Sequence, residues 1–187
     1  VDNYVPKGYN QQYNRKEQGV MADYVIIMGY DEHNGSSLEA GSVSSYEFVK
    51  EGIEETIKEV PAEKVINGIP FFTRLWSETP KTQEELNQEA GTEAADYPMK
   101  VTSEALGMST ARDKISQAGA ETTLDETTGN NYATWEADGS TYEVWLEDAE
   151  SLAPKLQLIK DYNLAGSAAW RLGQETSDIW DVILKYV

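Results

Sequence analysis

The sequence predicts an α/β fold, a parallel sheet with helices packed on it and an α+β insertion, and three observations predict it. The run Tyr24-Val25-Ile26-Ile27-Met28-Gly29-Tyr30-Asp31 is apolar at both parities until it ends in a phenol and a carboxylate, the pattern of a strand covered on both faces. A helix-spaced stretch and a second apolar run follow, so Tyr24 to Phe72 has the length of one strand-helix-strand unit with parallel strands. About seventy residues of a different pattern then separate that unit from the helix before a third apolar run, far more than a strand-helix loop needs.

In the first unit, Phe48, Val49, Ile53, Ile57 and Val60 fall at helical spacing, Ser44 and Glu47 are placed as a capping box, and Pro61 ends the helix. Lys64-Val65-Ile66-Asn67-Gly68-Ile69-Pro70-Phe71-Phe72 reads as the second buried strand. The inserted stretch opens with an acid-rich region from Glu78 to Asp96, read as solvated surface. A short helix from Ser109 to Ala118 follows, closed by Gly119. Tyr132 to Glu136 and Thr141 to Leu146 flank Ala137-Asp138-Gly139-Ser140, a strong hairpin signal. A helix from about Leu152 to Tyr162 leads into the strand Leu164-Ala165-Gly166-Ser167-Ala168-Ala169-Trp170, and a last short helix runs from about Ser177 to Lys185.

Composition narrows the function. Thirty-three acidic residues against fifteen Lys and Arg leave a net charge of -18 in 187 residues, which argues against nucleic acid and against anionic membranes as partners. A neutral ligand such as a sugar remains. Zero cysteines exclude thiolate metal sites, and a single His, His33, makes a His-based metal cluster or a Ser-His-Asp triad a poor expectation. No metal and no cofactor are expected, and no apolar run has the length of a membrane span. Polar groups just past the C-terminal ends of buried parallel strands are where such folds keep their chemistry, so Tyr30 and Asp31 are the first candidate site residues.

Four segments carry a family resemblance. Met28-Gly29-Tyr30-Asp31, Asn67-Gly68-Ile69-Pro70-Phe71-Phe72-Thr73-Arg74, Val144-Trp145-Leu146-Glu147-Asp148-Ala149-Glu150-Ser151-Leu152 and Gly166-Ser167-Ala168-Ala169-Trp170-Arg171-Leu172-Gly173-Gln174-Glu175 occur in that order. Together they resemble the sixth strand, the seventh strand, the return from the insertion and the eighth strand of family 18 glycoside hydrolases, the chitinase-like (βα)8 barrels. Tyr132, Trp135 and the Trp145-Leu146-Glu147-Asp148 return are most similar to bacterial members acting on cell-wall or spore-cortex peptidoglycan. The resemblance implies the C-terminal half of a (βα)8 TIM barrel, strands five to eight, with an α+β insertion after strand seven. Residues 1–74 would carry strands five to seven, 75–143 the insertion, and 144–187 helix seven, strand eight and helix eight.

The resemblance also implies chemistry. In this family the substrate's own acetamido group is the nucleophile, an exception to the usual pair of carboxylates. Tyr30 would hold the acetamide carbonyl and Asp31 would hydrogen-bond the sugar or the acid-base system. Trp170 would floor the sugar site, Met28 and Phe72 would shape the cleft, Arg74 would bind sugar hydroxyls, and Trp135 would extend an aromatic rail. The partner implied is a polysaccharide containing N-acetylglucosamine, acted on outside the cell or at the cell wall or spore. The family's Asp-x-x-Asp-x-Asp-x-Glu signature, whose Glu is the proton donor, occurs nowhere in these residues. Val1 to Pro6 resembles the end of the fifth strand, so the acid is expected upstream of Val1 and the 187 residues are expected to be inactive alone. A half-barrel with open edges and an uncovered interior face is also expected to associate with a second copy. The alternative class is a non-catalytic, family 18-like carbohydrate-binding module.

Overall fold

In the computed structural model, residues 1–3 and 13–186 are described. Two sheets organise them. A short helix α1 (Arg15–Met21) leads to β1 (Val25–Met28), the helix α2 (Tyr46–Ile57) follows, and β2 (Val65–Pro70) lies parallel to β1, with Val25 beside Val65 and Met28 beside Gly68. This is the expected strand-helix-strand unit. Two further strands and the helices α3 (Gln83–Gln88) and α4 (Met108–Ala118) come next, the strands being β3 (Phe72–Pro80) and β4 (Met99–Gly107). The chain then forms β5 (Thr123–Asp125), β6 (Asn130–Ala137), β7 (Ser140–Leu146), α5 (Ala149–Asp161), β8 (Gly166–Trp170) and α6 (Asp178–Ile183). The order β1-β2-β8 makes a parallel three-stranded sheet, and β4-β3-β7-β6-β5 a five-stranded antiparallel one. Neither sheet is closed. Among the described residues no helix is long and apolar enough to cross a membrane.

The parallel sheet is covered on one face. Val25, Ile27 and Val65 pack with Val49 and Ile53 of α2, while Ile69 packs with Leu152, Leu156 and Ile159 of α5 and with Ile179 and Ile183 of α6. The expectation that β1 is covered on both faces fails at Ile26, which is 47% exposed. Ile26 and Met28 share a face with Ile66, Gly68, Ala168 and Trp170 by register, and no described element lies over it. Val1 runs beside this edge, taking the amide of Met28 on its carbonyl at 2.9 Å, with a parallel bridge from Asp2 to Met28. The expected strand Val1 to Pro6 falls, from Tyr4 on, outside the described residues.

The run from Lys64 to Phe72 is not one strand. β2 stops at Pro70, Phe71 donates its amide to the Trp170 carbonyl at 2.7 Å, and Phe72 begins the second sheet. Phe71 is fully buried against α5 and α6 with its ring edge-on to Trp180, which turns the chain at that point. The acid-rich stretch expected as plain surface holds the end of β3 and then α3. There Thr82 and Glu85 make a reciprocal capping box that satisfies the first amides of the helix. The helix cap expected at Ser44 sits one residue later: Ser45 accepts from the amide of Phe48, and Glu47 is one position too early to reach back.

The remaining insertion signals correspond to elements. Gly119 closes α4 in the left-handed region at φ 66°, and Asp138-Gly139, both at positive φ, make the two-residue turn between β6 and β7. One face of the five-stranded sheet is covered by α4, through Leu75, Leu106, Ala133, Val144 and Leu146 packed on Ala111 and Ile115. The loop between β1 and α2 crosses to the other face, where the buried Trp76 donates its indole N–H to the Gly41 carbonyl at 2.9 Å.

Candidate functional site

Tyr30 and Asp31 leave the C-terminal end of β1 where the two sheets meet. The backbone there is tightly fixed. Gly29 donates its amide to the Gly68 carbonyl at 3.0 Å and accepts the Ser44 hydroxyl on its own carbonyl at 2.7 Å. A Cβ on Gly29 would lie 2.6 Å from the Asn67 amide oxygen and 2.7 Å from the Gly68 carbonyl, so only glycine fits. Gly68 has the matching role across the strand pair, since its Cβ would lie 3.3 Å from the Tyr30 ring. Tyr30 therefore rests over β2, on the face it shares with Met28.

The Tyr30 ring meets Phe72 edge-on at 5.9 Å between centroids. Its hydroxyl has no hydrogen-bond partner among the described residues, and burial, reinforced by the charge of Asp31, pushes its pKa above the ordinary phenol value. Asp31 adopts φ 64°, a left-handed conformation that Asp tolerates better than most residues. Burial raises its carboxyl pKa and the nearby Arg74 guanidinium opposes that rise. Arg74 points from β3 toward the loop after Asp31: its Nη1 bonds Ser103 Oγ at 2.9 Å, and a Cβ on Gly35 would lie 3.4 Å from the same nitrogen. Its Nε is buried without a partner among the described residues.

The structure thus gathers Tyr30, Asp31, Phe72 and Arg74 at one joint. Trp170 ends β8 beside Pro70 on the open face of the parallel sheet, 57% exposed, and Met28 lies half-buried on that face beside Gly68. Trp135 is elsewhere. It stacks on Tyr142 at 5.5 Å with the rings 9° from parallel, on the α4 side of the insertion sheet, and the structure does not bring it to the other residues.

Sequence reading missed the groups behind the joint. Lys155 of α5 and Glu147 after β7 form an ion pair at 2.7 Å with side chains 2% and 0% exposed. Lys155 Nζ also donates to the Ser44 carbonyl at 2.8 Å, and Glu147 accepts from Asn130 Nδ2 at 3.0 Å. Asn130 in turn accepts the Ser42 hydroxyl at 2.9 Å. Burial pushes the Glu147 carboxyl up and the Lys155 ammonium pulls it back. A signal was available: Lys155 interrupts the apolar stripe of Leu152, Leu156 and Ile159, and a lysine there needs a buried acid. Glu32 was missed too; its carboxylate takes both the amide and the hydroxyl of Ser45, at 2.7 and 2.9 Å, and closes the neck of the loop.

Chemically the arrangement offers a phenol without a hydrogen-bond partner among the described residues, a carboxyl and a guanidinium beside it, and an exposed indole on the open face of the parallel sheet. The profile of glycosyl hydrolases family 18 matches residues 2–175. The cortical fragment-lytic enzyme of Bacillus subtilis (strain 168) is 27% identical over 172 residues, 91% of this chain and 36% of that protein. The crystal structure of a chitinase from Chromobacterium violaceum superposes with a TM-score of 0.80 at 26% identity, covering 99% of this chain and 53% of that one. A family 18 chitinase from Cycas revoluta, solved in complex with (GlcNAc)3, superposes with a TM-score of 0.71 at 26% identity, covering 100% of this chain and 53% of that one. The chain spans 45% or less of the length of three curated Bacillus subtilis relatives it matches.

Proposed function

The chain belongs to the glycosyl hydrolases family 18, and from that membership we propose that it forms the substrate-holding side of a glycosidase cleaving β-1,4-linked, N-acetylglucosamine-containing glycan. Chitin and peptidoglycan glycan are the two substrate classes. The observation that carries the reading is the Tyr30 hydroxyl, half-buried, kept protonated and unbonded among the described residues beside Asp31 and Arg74.

In substrate-assisted retaining hydrolysis the acetamido carbonyl oxygen attacks the anomeric carbon as the leaving oxygen is protonated. Tyr30, a neutral phenol across the working pH range, donates to that carbonyl oxygen and keeps it in line. Asp31 orients the acetamide or the neighbouring acid, Arg74 offers its guanidinium to sugar oxygens, and Trp170 lies flat under the apolar face of the ring. Met28 and Phe72 shape the wall. The proton donor is a Glu contributed from outside residues 1–187, because the family's acidic signature does not occur within them. In this reading the three parallel strands are part of a (βα)8 barrel and work where such glycans lie, outside the cell or at the wall or spore. The 187 residues by themselves are inactive.

The test is turnover of a chromogenic chito-oligosaccharide by the intact polypeptide and by residues 1–187 alone. Activity in the first and none in the second is expected. An intact polypeptide that binds the oligosaccharide without cleaving it would instead establish a carbohydrate-binding module. The open face of β1, β2 and β8, with Ile26 and Trp170 exposed, leads us to expect residues 1–187 to pair with a second copy. Light scattering that finds only monomer at micromolar concentration refutes the pairing.

A further inference from the structure

We propose that Ser44, Lys155 and Glu147 are positioning residues for Tyr30, acting through the Gly29 carbonyl; this rests on the reading of Tyr30 as the acetamide donor. The peptide before Tyr30 is held from two sides. On one side β2 takes the Gly29 amide on the Gly68 carbonyl, and Asn67 and Gly68 leave no room for a side chain at Gly29. On the other side the Ser44 hydroxyl donates to the Gly29 carbonyl at 2.7 Å, and it is the only side-chain donor on that oxygen among the described residues.

Ser44 is itself held by groups that come from the far side of the chain. Lys155 Nζ reaches its carbonyl at 2.8 Å and its hydroxyl oxygen at 3.3 Å, while the Ser42 hydroxyl oxygen accepts its amide at 3.0 Å. An ammonium bonded to the lone pairs of a hydroxyl leaves that hydroxyl's hydrogen pointing away, toward Gly29, so Lys155 sets the direction in which Ser44 donates. Glu147 fixes Lys155 at 2.7 Å, and Ser151 Oγ stands 3.5 Å from the same carboxylate oxygen. Its other oxygen takes Asn130, which closes the cage through Ser42. Every one of these side chains is at least nine-tenths buried. A purely structural ion pair would need no such line to one backbone carbonyl. This one ends one residue before the proposed donor, and through Asn130 it ties that donor to the five-stranded sheet, whose Phe72 and Arg74 form the opposite wall.

The experiment labels the eleven tyrosines with 13C at Cζ and assigns Tyr30 by Tyr30→Phe. Ser44→Ala is expected to shift or broaden the Tyr30 resonance. Lys81→Met, which breaks another poorly exposed ion pair at Glu89 in the insertion, is expected to lower the thermal midpoint and leave that resonance in place. In the intact polypeptide, Ser44→Ala is expected to lower kcat by roughly tenfold to a hundredfold, the scale of a misplaced reacting geometry, with KM within about twofold because the sugar-contacting groups are untouched. Glu147→Gln keeps the side chain's shape and carries the same readouts if Ser44→Ala fails to fold. A Tyr30 resonance that stays put in both variants, or one that moves while kcat holds, overturns the proposal. An intact polypeptide with no turnover sinks the glycosidase reading instead, and the resonance alone then decides the positioning.

Discussion

The two sheets of this protein solve the covering of their faces in opposite ways. The antiparallel sheet is packed on both: α4 lies on one, and the loop between β1 and α2 crosses the other, anchored by the Trp76 indole on Gly41. The parallel sheet is packed on one face by α2, α5 and α6, and carries Ile26, Met28 and Trp170 on the other. Apolar surface that one sheet buries, the other presents. On the proposed reading this difference sets where the glycan goes: to the C-terminal end of the sheet that keeps a face open, with the covered sheet contributing its rim residues Phe72 and Arg74. Between the two, a buried polar contact made by Lys155, Glu147, Asn130, Ser42 and Ser44 adds to the apolar cluster that Met108 of α4 shares with Ile69 and Phe71.

The largest effect should come from breaking that polar joint. Lys155→Met leaves the Glu147 carboxylate buried beside Asp148, with Asn130 and Ser151 as its remaining donors among the described residues, and the loss of one partner of a buried pair costs about 3–5 kcal/mol. The double variant Lys155→Met with Glu147→Leu removes both charges. It should recover most of that loss, because the desolvation of two ions offsets much of their attraction. Urea unfolding of the two single variants and the double measures this. A double variant no more stable than Lys155→Met would show that the ion pair itself, and not the avoidance of a lone charge, holds the sheets together.

How far the molecule could be read from its residues follows the same division. The parallel strands were legible because each is a short apolar run, and the strand-helix-strand unit came out with the right partners. The covered-on-both-sides reading of β1 came from the same run, since periodicity reports apolar residues and not what lies over them. β4 was missed because Met99 to Gly107 alternates Lys100, Thr102 and Glu104 with Val101, Ser103 and Ala105, a strand whose packing comes from its neighbours and not from its own apolar stripe. β3 was hidden by a different cause: it follows β2 after one residue, so the two read as a single run until the buried Phe71 turns the chain. At the candidate site, Tyr30, Asp31, Phe72 and Arg74 could be named from motifs; behind them, Lys155 in its apolar stripe signalled a buried acid without saying which one. Ser44, Lys155 and Glu147 are brought together from positions separated by as many as 111 residues, and only the fold supplies that proximity.

A smaller effect separates the two exposed-looking tryptophans. Trp170→Ala removes an indole already 57% exposed, so its thermal midpoint should barely move while affinity for a chito-oligosaccharide falls about fivefold, the worth of roughly 1 kcal/mol of ring stacking. Trp135→Ala empties a place stacked on Tyr142 and packed on the insertion core. It should register first in the midpoint, with the smaller loss of affinity. The reverse ordering in calorimetric titration and thermal unfolding would bring Trp135 into the cleft and make the antiparallel sheet a binding surface.

The smallest expected effect sets one carboxylate from each region against the other. Asp31, at the open site, has its pKa raised: burial is the main cause, and Arg74 opposes it without cancelling it. Between the ordinary Asp value and that raised one the folded chain binds more protons than the unfolded chain, so stability falls as pH rises through this window. Asp125, in the insertion, is also pushed up by burial, but the Trp145 indole, at 2.9 Å, and the donors of Thr127 and Thr128 outweigh it and hold its pKa down. Its contribution has the opposite sign, present above the ordinary Asp value and lost as pH falls through the lowered one. Asp31→Asn should therefore raise the thermal midpoint slightly at neutral pH, with the gain vanishing in acid. Asp125→Asn should lower the midpoint at neutral pH, with the loss vanishing in acid. Thermal unfolding of both variants from neutral to acidic pH checks the pair. A carboxylate that the fold would be steadier without, placed beside Arg74 and a phenol kept neutral, is what a site retained for its chemistry looks like; equal slopes in the two variants would remove that reason for assigning Asp31 to it.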